Sequence, residues 1–263
     1  MIPVSVIRGD SPVVLGLPHS GTFLPDHIAA RLNDRGRELS DTDWHVDRLY
    51  DGLVPGVTMV RANFHRYVID ANRPPSGDSL YPGQNTTGLV PLTDFDGQPI
   101  WTSPPDDTEA RRAAFHAPYH AALAAELDRV RDLHGVAILY DCHSIRSRIP
   151  FLFPGTLPDF NIGTAEGAAC DPRIEAAARD ICAETGRPMV VNGRFKGGWT
   201  TRHYGRPSEG LHAIQMELAQ STHLASEVAP YDYDPARADA LRPVLARILT
   251  RLADLAPLLT ARS

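Results

Sequence analysis

The apolar positions of this chain come in two rhythms. Val13-Val14-Leu15-Gly16-Leu17 and Val136-Ala137-Ile138-Leu139-Tyr140 are unbroken apolar runs, and each leads into a polar cluster, His19-Ser20-Gly21 or Asp141-Cys142-His143-Ser144. A run of this kind reads as a strand buried on both faces, as in a sheet covered by helices. Ala213-Ile214-Gln215-Met216-Glu217-Leu218, Val57-Thr58-Met59-Val60 and Pro188-Met189-Val190-Val191 read as further strands. Val4-Ser5-Val6-Ile7 reads as an edge strand and Tyr67-Val68-Ile69-Asp70 as a short one. Elsewhere the spacing is helical. Pro25 opens a helix over roughly 26–33. Ser40 caps one over 41–53, with Trp44, Val46, Leu49, Tyr50 and Leu53 on its apolar face. Leu123, Leu127 and Val130 mark a long helix over 106–134, bent at Pro118 and capped by Gly135. Two more span about 172–185 and 235–259, the last bent at Pro243.

Strands alternating with helices predict an α/β fold, a mixed, mostly parallel sheet with helices on its faces. A single domain over the 263 residues is expected. Between 71 and 105 the chain is rich in Gly, Pro, Asn and Asp. A stretch this long without periodicity, inside a domain, reads as a functional loop or lid.

Composition narrows the partners. Apolar content of 43% and charged content of 22% are those of an ordinary soluble protein. A net charge of -6 without a basic run disfavours nucleic acid, and leaves a small anionic substrate to be decided by local arginines. No apolar stretch approaches the ~18 residues of a membrane span. Met1-Ile2-Pro3-Val4 lacks the basic and apolar regions of a signal peptide. Cys142, Cys170 and Cys182 are irregularly spaced and odd in number, which fits a reduced, cytoplasmic protein. Nothing in the pattern sets an oligomeric state.

Polar residues at the carboxyl ends of buried strands sit where open α/β sheets bind ligands. Two such strands deliver His19 and His143, and two histidines with a carboxylate form a common hydrolytic zinc site. The same donors accept cobalt, manganese or iron. Asp141 suits the acceptor behind a metal-bound histidine. The carboxylate ligand is sought in Asp41-Thr42-Asp43-Trp44-His45-Val46-Asp47, where Asp43 and Asp47 share a helical face. Asp43 ranks first and Asp47 second, Asp41 being accounted for as a first-turn acid. Glu217 lies within an apolar strand, where an unpaired charge is costly, and is the candidate general base. Arg73, beside Asn72, and Arg202, beside Thr201, occupy separate loop segments and suit the two carboxylates of a dicarboxylate substrate. His116-Ala117-Pro118-Tyr119-His120 has metal-ligand spacing but lacks the glutamate of HExxH, which leaves His120 a supporting role. Cys142 reads as a small core residue, with a thiol nucleophile as the competing role. GxSxG, P-loop and GxGxxG patterns are absent.

Several of these segments are shared with one family. They are Pro18-His19-Ser20-Gly21, Asp41-Thr42-Asp43-Trp44-His45-Val46-Asp47-Arg48-Leu49-Tyr50 and Arg66-Tyr67-Val68-Ile69-Asp70-Ala71-Asn72-Arg73-Pro74. Asp141-Cys142-His143-Ser144, Gly197-Gly198 with Thr201-Arg202-His203-Tyr204-Gly205, and Gln215-Met216-Glu217 follow in order. Together, over roughly 13–217, they resemble the N-formylglutamate amidohydrolase family of bacterial histidine degradation. The resemblance implies an α/β/α sandwich similar to zinc carboxypeptidases, with His19, Asp43 and His143 holding one divalent ion, zinc first, and Glu217 as base. It implies hydrolysis of N-formyl-L-glutamate to formate and L-glutamate in the cytoplasm. Hydrolysis of another N-acyl amino acid and a non-catalytic metal- or amino-acid-binding protein are the competing readings.

Overall fold

Seven strands, β1 (Val4–Ile7), β2 (Val13–Leu17), β3 (Thr58–Ala62), β4 (Ala137–Ile145), β5 (Phe160–Gly163), β6 (Met189–Val191) and β7 (Leu211–Ala219), form one sheet. Its order is β1-β3-β2-β4-β7-β5-β6. Pairings β2–β3, β2–β4, β4–β7 and β5–β6 are parallel, while β1–β3 and β5–β7 are antiparallel. The sheet is therefore mixed and mostly parallel, as the apolar runs predict. This computed structural model describes residues 2–80 and 83–260. Met1 of the expected leaderless terminus and residues 81 and 82 of the expected lid lie outside the described residues, as do 261–263.

The helices are α1 (Asp26–Ala29), α2 (Asp34–Arg37), α3 (Val46–Tyr50), α4 (Thr108–Arg111), α5 (Ala117–His134), α6 (Pro172–Glu184), α7 (Trp199–Tyr204) and α8 (Pro235–Leu259). Period-two alternation decides which of them covers which face. Val13, Leu15, Ile138, Tyr140, Ile214 and Met216 point one way and pack with α3, α6 and α8. Val14, Ala137, Leu139 and Ala213 point the other way and pack against Tyr119, Leu123 and Leu127 of α5. Each fully buried Leu or Ile here contributes about 1.5–3 kcal/mol, so the two central strands are anchored from both sides.

The site begins where this second face changes character. Along β4 the α5-facing positions run Ala137, Leu139, Asp141, His143; along β7 they run Leu211, Ala213, Gln215, Glu217. The apolar halves lie under α5, while Arg66, Asn72, Arg73, Thr86, Thr87 and Phe95 stand over the polar halves. The 71–105 segment carries no helix or named strand among its described residues.

Several expected elements differ. The helix expected over 41–53 exists only as α3, because His45 is left-handed (φ 59) and the residues before it form a turn. Asp41 consequently serves no helix dipole; its Oδ2 accepts the Phe95 N–H at 2.9 Å. Tyr67–Asp70 is a turn, closed by Arg66 pairing with Asp70 at 2.7 Å and by Asp70 Oδ1 accepting the Asn72 N–H at 2.8 Å. Pro118 does not kink a continuous helix. It occupies the first turn of α5, and a π turn over Arg112–His116 joins α4 to α5. β5, whose Asn161 and terminal Gly163 interrupt any apolar run, has no counterpart in the sequence reading.

Candidate active site

His19 leaves β2 through Pro18, and the chain then passes so close to its neighbour that a Cβ on Gly21 would lie 2.4 Å from the Asn63 backbone. Asp43 is brought alongside by the 40–45 turn. Its backbone N–H donates to His19 O at 3.1 Å, while Gln220 and His223 hold the carbonyls of Thr42 (2.8 Å) and Trp44 (3.0 Å). His143 stands on β4, which runs straight through to Ile145 and so keeps Asp141 and His143 on one face. All three side chains are buried, with their ligand atoms within 4.8 Å of one another. Both imidazoles present Nδ1 to the same Asp43 oxygen, His143 at 3.1 Å and His19 at 3.8 Å. Their outer nitrogens face other carboxylates: His19 Nε2 is 2.7 Å from Asp70 Oδ1, and His143 Nε2 is 3.1 Å from Asp141 Oδ1. Asn72 Nδ2 also approaches His143 Nε2, at 3.1 Å.

The proton inventory shows what this cluster suits. Burial opposes the charge on Asp70, but Arg66 above all, then Arg73 and His19, hold its carboxyl well below the usual range. An ionised carboxylate only accepts, so the His19 proton sits on Nε2 and a bare Nδ1 lone pair faces Asp43. Burial and then Arg66 lower the His19 pKa, which keeps that ring neutral at pH 7. A lone pair against a buried carboxylate oxygen calls for positive charge between them. His143 shows the same demand: burial opposes its protonation, yet Asp141 and Asp43 raise its pKa well above the ordinary value. Two imidazole nitrogens and a carboxylate, with further carboxylates behind the rings, are donors that zinc and similar divalent ions take.

Glu217 pairs in register with His143 on the neighbouring strand. Burial, opposed by His143 and reinforced by Asp43, pushes its carboxyl up to about 8, a value suited to exchanging protons near neutrality. Gln215, two residues back on the same face, donates from Nε2 to Glu217 Oε2 at 3.3 Å. Its Oε1 accepts the Gly198 N–H at 2.8 Å.

These groups open into a cavity of about 590 Å³, mouth included, walled by Arg66, Arg73 and Arg194 together with Asn72, Gln215 and Glu217. Three sequence expectations are corrected here. Asp47 lies outside the cluster and pairs with Arg61. Arg202 does not line the cavity; it is exposed and donates from Nε to Gly197 O at 2.9 Å. Thr201 is buried beneath the site, its Oγ1 donating to Asp141 Oδ2 at 3.1 Å. The physical reason is α7, which winds a segment read as loop and turns Thr200, Thr201 and Tyr204 inward but Arg202 outward. Arg66, Arg194 and Gln215 were not singled out. Gln215 carried a signal, its period-two spacing from Glu217; Arg194 begins the same glycine-rich basic segment from which Arg202 was chosen, and Arg66 carried none. Cys142 faces the opposite core, and burial pushes its thiol far up, which removes it as a nucleophile. His116 and His120 fall in no group of three potential metal ligands among the described residues, and meet the carbonyls of Arg73 (3.0 Å) and Ala71 (2.8 Å).

A buried acid beside a two-histidine, one-aspartate cluster, at the carboxyl ends of parallel strands in an α/β/α sandwich, defines a hydrolase-type site. Comparison with known proteins narrows the class. Residues 11–224 match the N-formylglutamate amidohydrolase family model, and the chain belongs to that family. It is 45% identical over 255 residues to an N-formylglutamate deformylase of Pseudomonas putida, covering 95% of each chain. The N-formylglutamate deformylase of Pseudomonas aeruginosa matches equally, at 45% over 255 residues. In fold, the chain is similar to the crystal structure of N-formylglutamate amidohydrolase from Ralstonia eutropha JMP134, with a TM-score of 0.82 at 24% identity, over 97% of this chain and 99% of that one. The gene product Atu2144 from Agrobacterium tumefaciens follows at 0.72 and 18%, over 97% and 96%.

Proposed function

We propose that this protein hydrolyses the formyl C–N bond of N-formyl-L-glutamate, giving formate and L-glutamate. One observation carries the reading: His19, Asp43 and His143 converge on a buried point beside Glu217, in a cavity walled by arginines. The relatives named N-formylglutamate deformylase support the substrate. His19, Asp43 and His143 would hold a divalent ion, zinc first, which would supply Lewis acidity and lower the pKa of water. Glu217 takes the proton of the attacking water and returns it to the nitrogen as the C–N bond breaks, so one acid serves both transfers. Gln215 fixes the direction of that carboxyl through its 3.3 Å hydrogen bond. Arg73, beside Asn72, receives one substrate carboxylate. We place the reaction at the end of histidine degradation in the cytoplasm; free, buried cysteines support a reducing compartment.

The test is formate release from N-formyl-L-glutamate by purified protein, before and after chelation and on zinc re-addition. Release that is lost on chelation and restored by zinc is the expected result. Full turnover by protein shown to be metal-free overturns the metal reading, and absence of release overturns the substrate.

A further inference from the structure

We propose that Arg194, in the loop between β6 and α7, grips the side-chain carboxylate of the substrate alongside Arg73 and so selects dicarboxylic N-acyl amino acids. The assignment rests on the N-formylglutamate reading above and deepens it.

Both arginines line the cavity, and both are braced on the same short stretch of the 71–105 segment. Arg194 donates from Nη2 to Asn85 O at 2.8 Å and from Nε to Leu152 O at 3.0 Å. Arg73 donates from Nε to Thr87 O at 2.9 Å and from Nη2 to the hydroxyls of Thr86 and Thr87, each at 3.2 Å. Asn85 and Thr87 are two residues apart, so at most ~7 Å of chain separates the groups that seat the two guanidiniums. Two cationic forks at adjoining positions of one wall match a ligand whose carboxylates are joined by a short aliphatic chain. Leu152 and Phe195 supply apolar surface beside them for its methylenes. Main-chain carbonyls orient both planar groups in advance, which lowers the ordering cost of a two-pronged contact. Arg73 is braced further by its Nη1, which donates to Asn72 O at 3.0 Å and lies 3.8 Å from Asp70 Oδ2. Arg66 is paired with Asp70 at 2.7 Å, and Arg202 lies on the exposed side of α7, away from the cavity.

Arg194→Gln, Arg194→Lys and Arg202→Gln test this with N-formylglutamate and its uncharged isostere N-formylglutamine, with kcat and KM measured separately. Wild type is expected to prefer the dicarboxylate. Arg194→Gln should raise KM for N-formylglutamate ~10- to 10²-fold, the scale of a hydrogen bond to a charged group, with little change in kcat or in KM for N-formylglutamine. Arg194→Lys should recover part of the preference, and Arg202→Gln should leave it intact. Equal losses on both substrates would reduce Arg194 to a loop brace and overturn the assignment, as would an unchanged preference. No formate from either substrate with wild type would bring down the underlying reading and this assignment with it. Wild-type turnover with preference retained in Arg194→Gln brings down the assignment alone.

Discussion

One oxygen of Asp43 is the meeting point of His19 Nδ1, His143 Nδ1 and the Ser144 N–H, the last at 3.2 Å. Around it, single atoms decide function. Glu217→Gln keeps shape and removes the proposed base, so kcat should fall ~10²-fold or more while metal content, read by elemental analysis, stays at whatever level the wild type shows. Asp70→Asn acts one step further out. It weakens the acceptor behind His19 and removes the nearest anion of Arg66, so affinity for added zinc should fall ~10- to 10²-fold and Tm should drop, measured by titration and calorimetry. An Asp70→Asn protein with wild-type zinc affinity would remove Asp70 from the support of His19. His19, His143 and Glu217 were legible as site candidates because each interrupts or terminates an apolar run, where an ionisable group is costly. Arg194 and Arg202 were not separable in the same way. They share one glycine-rich segment, and only the winding of α7 shows that the second points outward.

At the scale of elements, the site is made by strands that change from apolar to polar halfway along one face. β4 and β7 do this in register, which is why Asp141 stands opposite Gln215 and His143 opposite Glu217. The long apolar runs and the helices at α5, α6 and α8 were readable from period alone. The 41–53 stretch was not, because its helical spacing is genuine only from Val46 onward, while the residues before it turn to carry Asp43 to His19. Tyr67–Asp70 misled in the opposite direction: β-forming side chains sit in a turn fixed by the Arg66–Asp70 pair. Close approach between loop and strand is a further constraint. A Cβ at Gly198 would lie 2.3 Å from Asn72 Nδ2, and that amide is already held by the Thr200 N–H at 2.9 Å. Gly198→Ala should therefore cost about 1–3 kcal/mol in denaturant unfolding and lower kcat/KM by displacing Asn72. Unchanged stability and turnover would show that Asn72 can move aside freely.

The whole molecule stitches its C-terminal third back over the site. His223 is fully buried and its Nε2 lies 3.0 Å from Trp44 O; burial, partly offset by that hydrogen bond, lowers its pKa from 6.5 to about 4. The unfolded chain then binds more protons, so stability from this residue is complete above pH 6.5 and is lost as pH falls toward 4, on the order of 3 kcal/mol. His223→Gln, which retains a donor for Trp44, should flatten the pH dependence of the urea midpoint in that window. An identical slope would place the acid sensitivity elsewhere. At the opposite side of the sheet, the π turn between α4 and α5 has a consequence of phase. Arg111 reaches Val68 O at 3.0 Å, His116 reaches Arg73 O at 3.0 Å and His120 reaches Ala71 O at 2.8 Å. Five residues of regular α-helix would turn His116 ~140° from Arg111, but the π turn absorbs one residue and leaves the pair ~40° apart. The helix thus keeps time with the 67–73 segment while its chain carries one residue more than that timing requires.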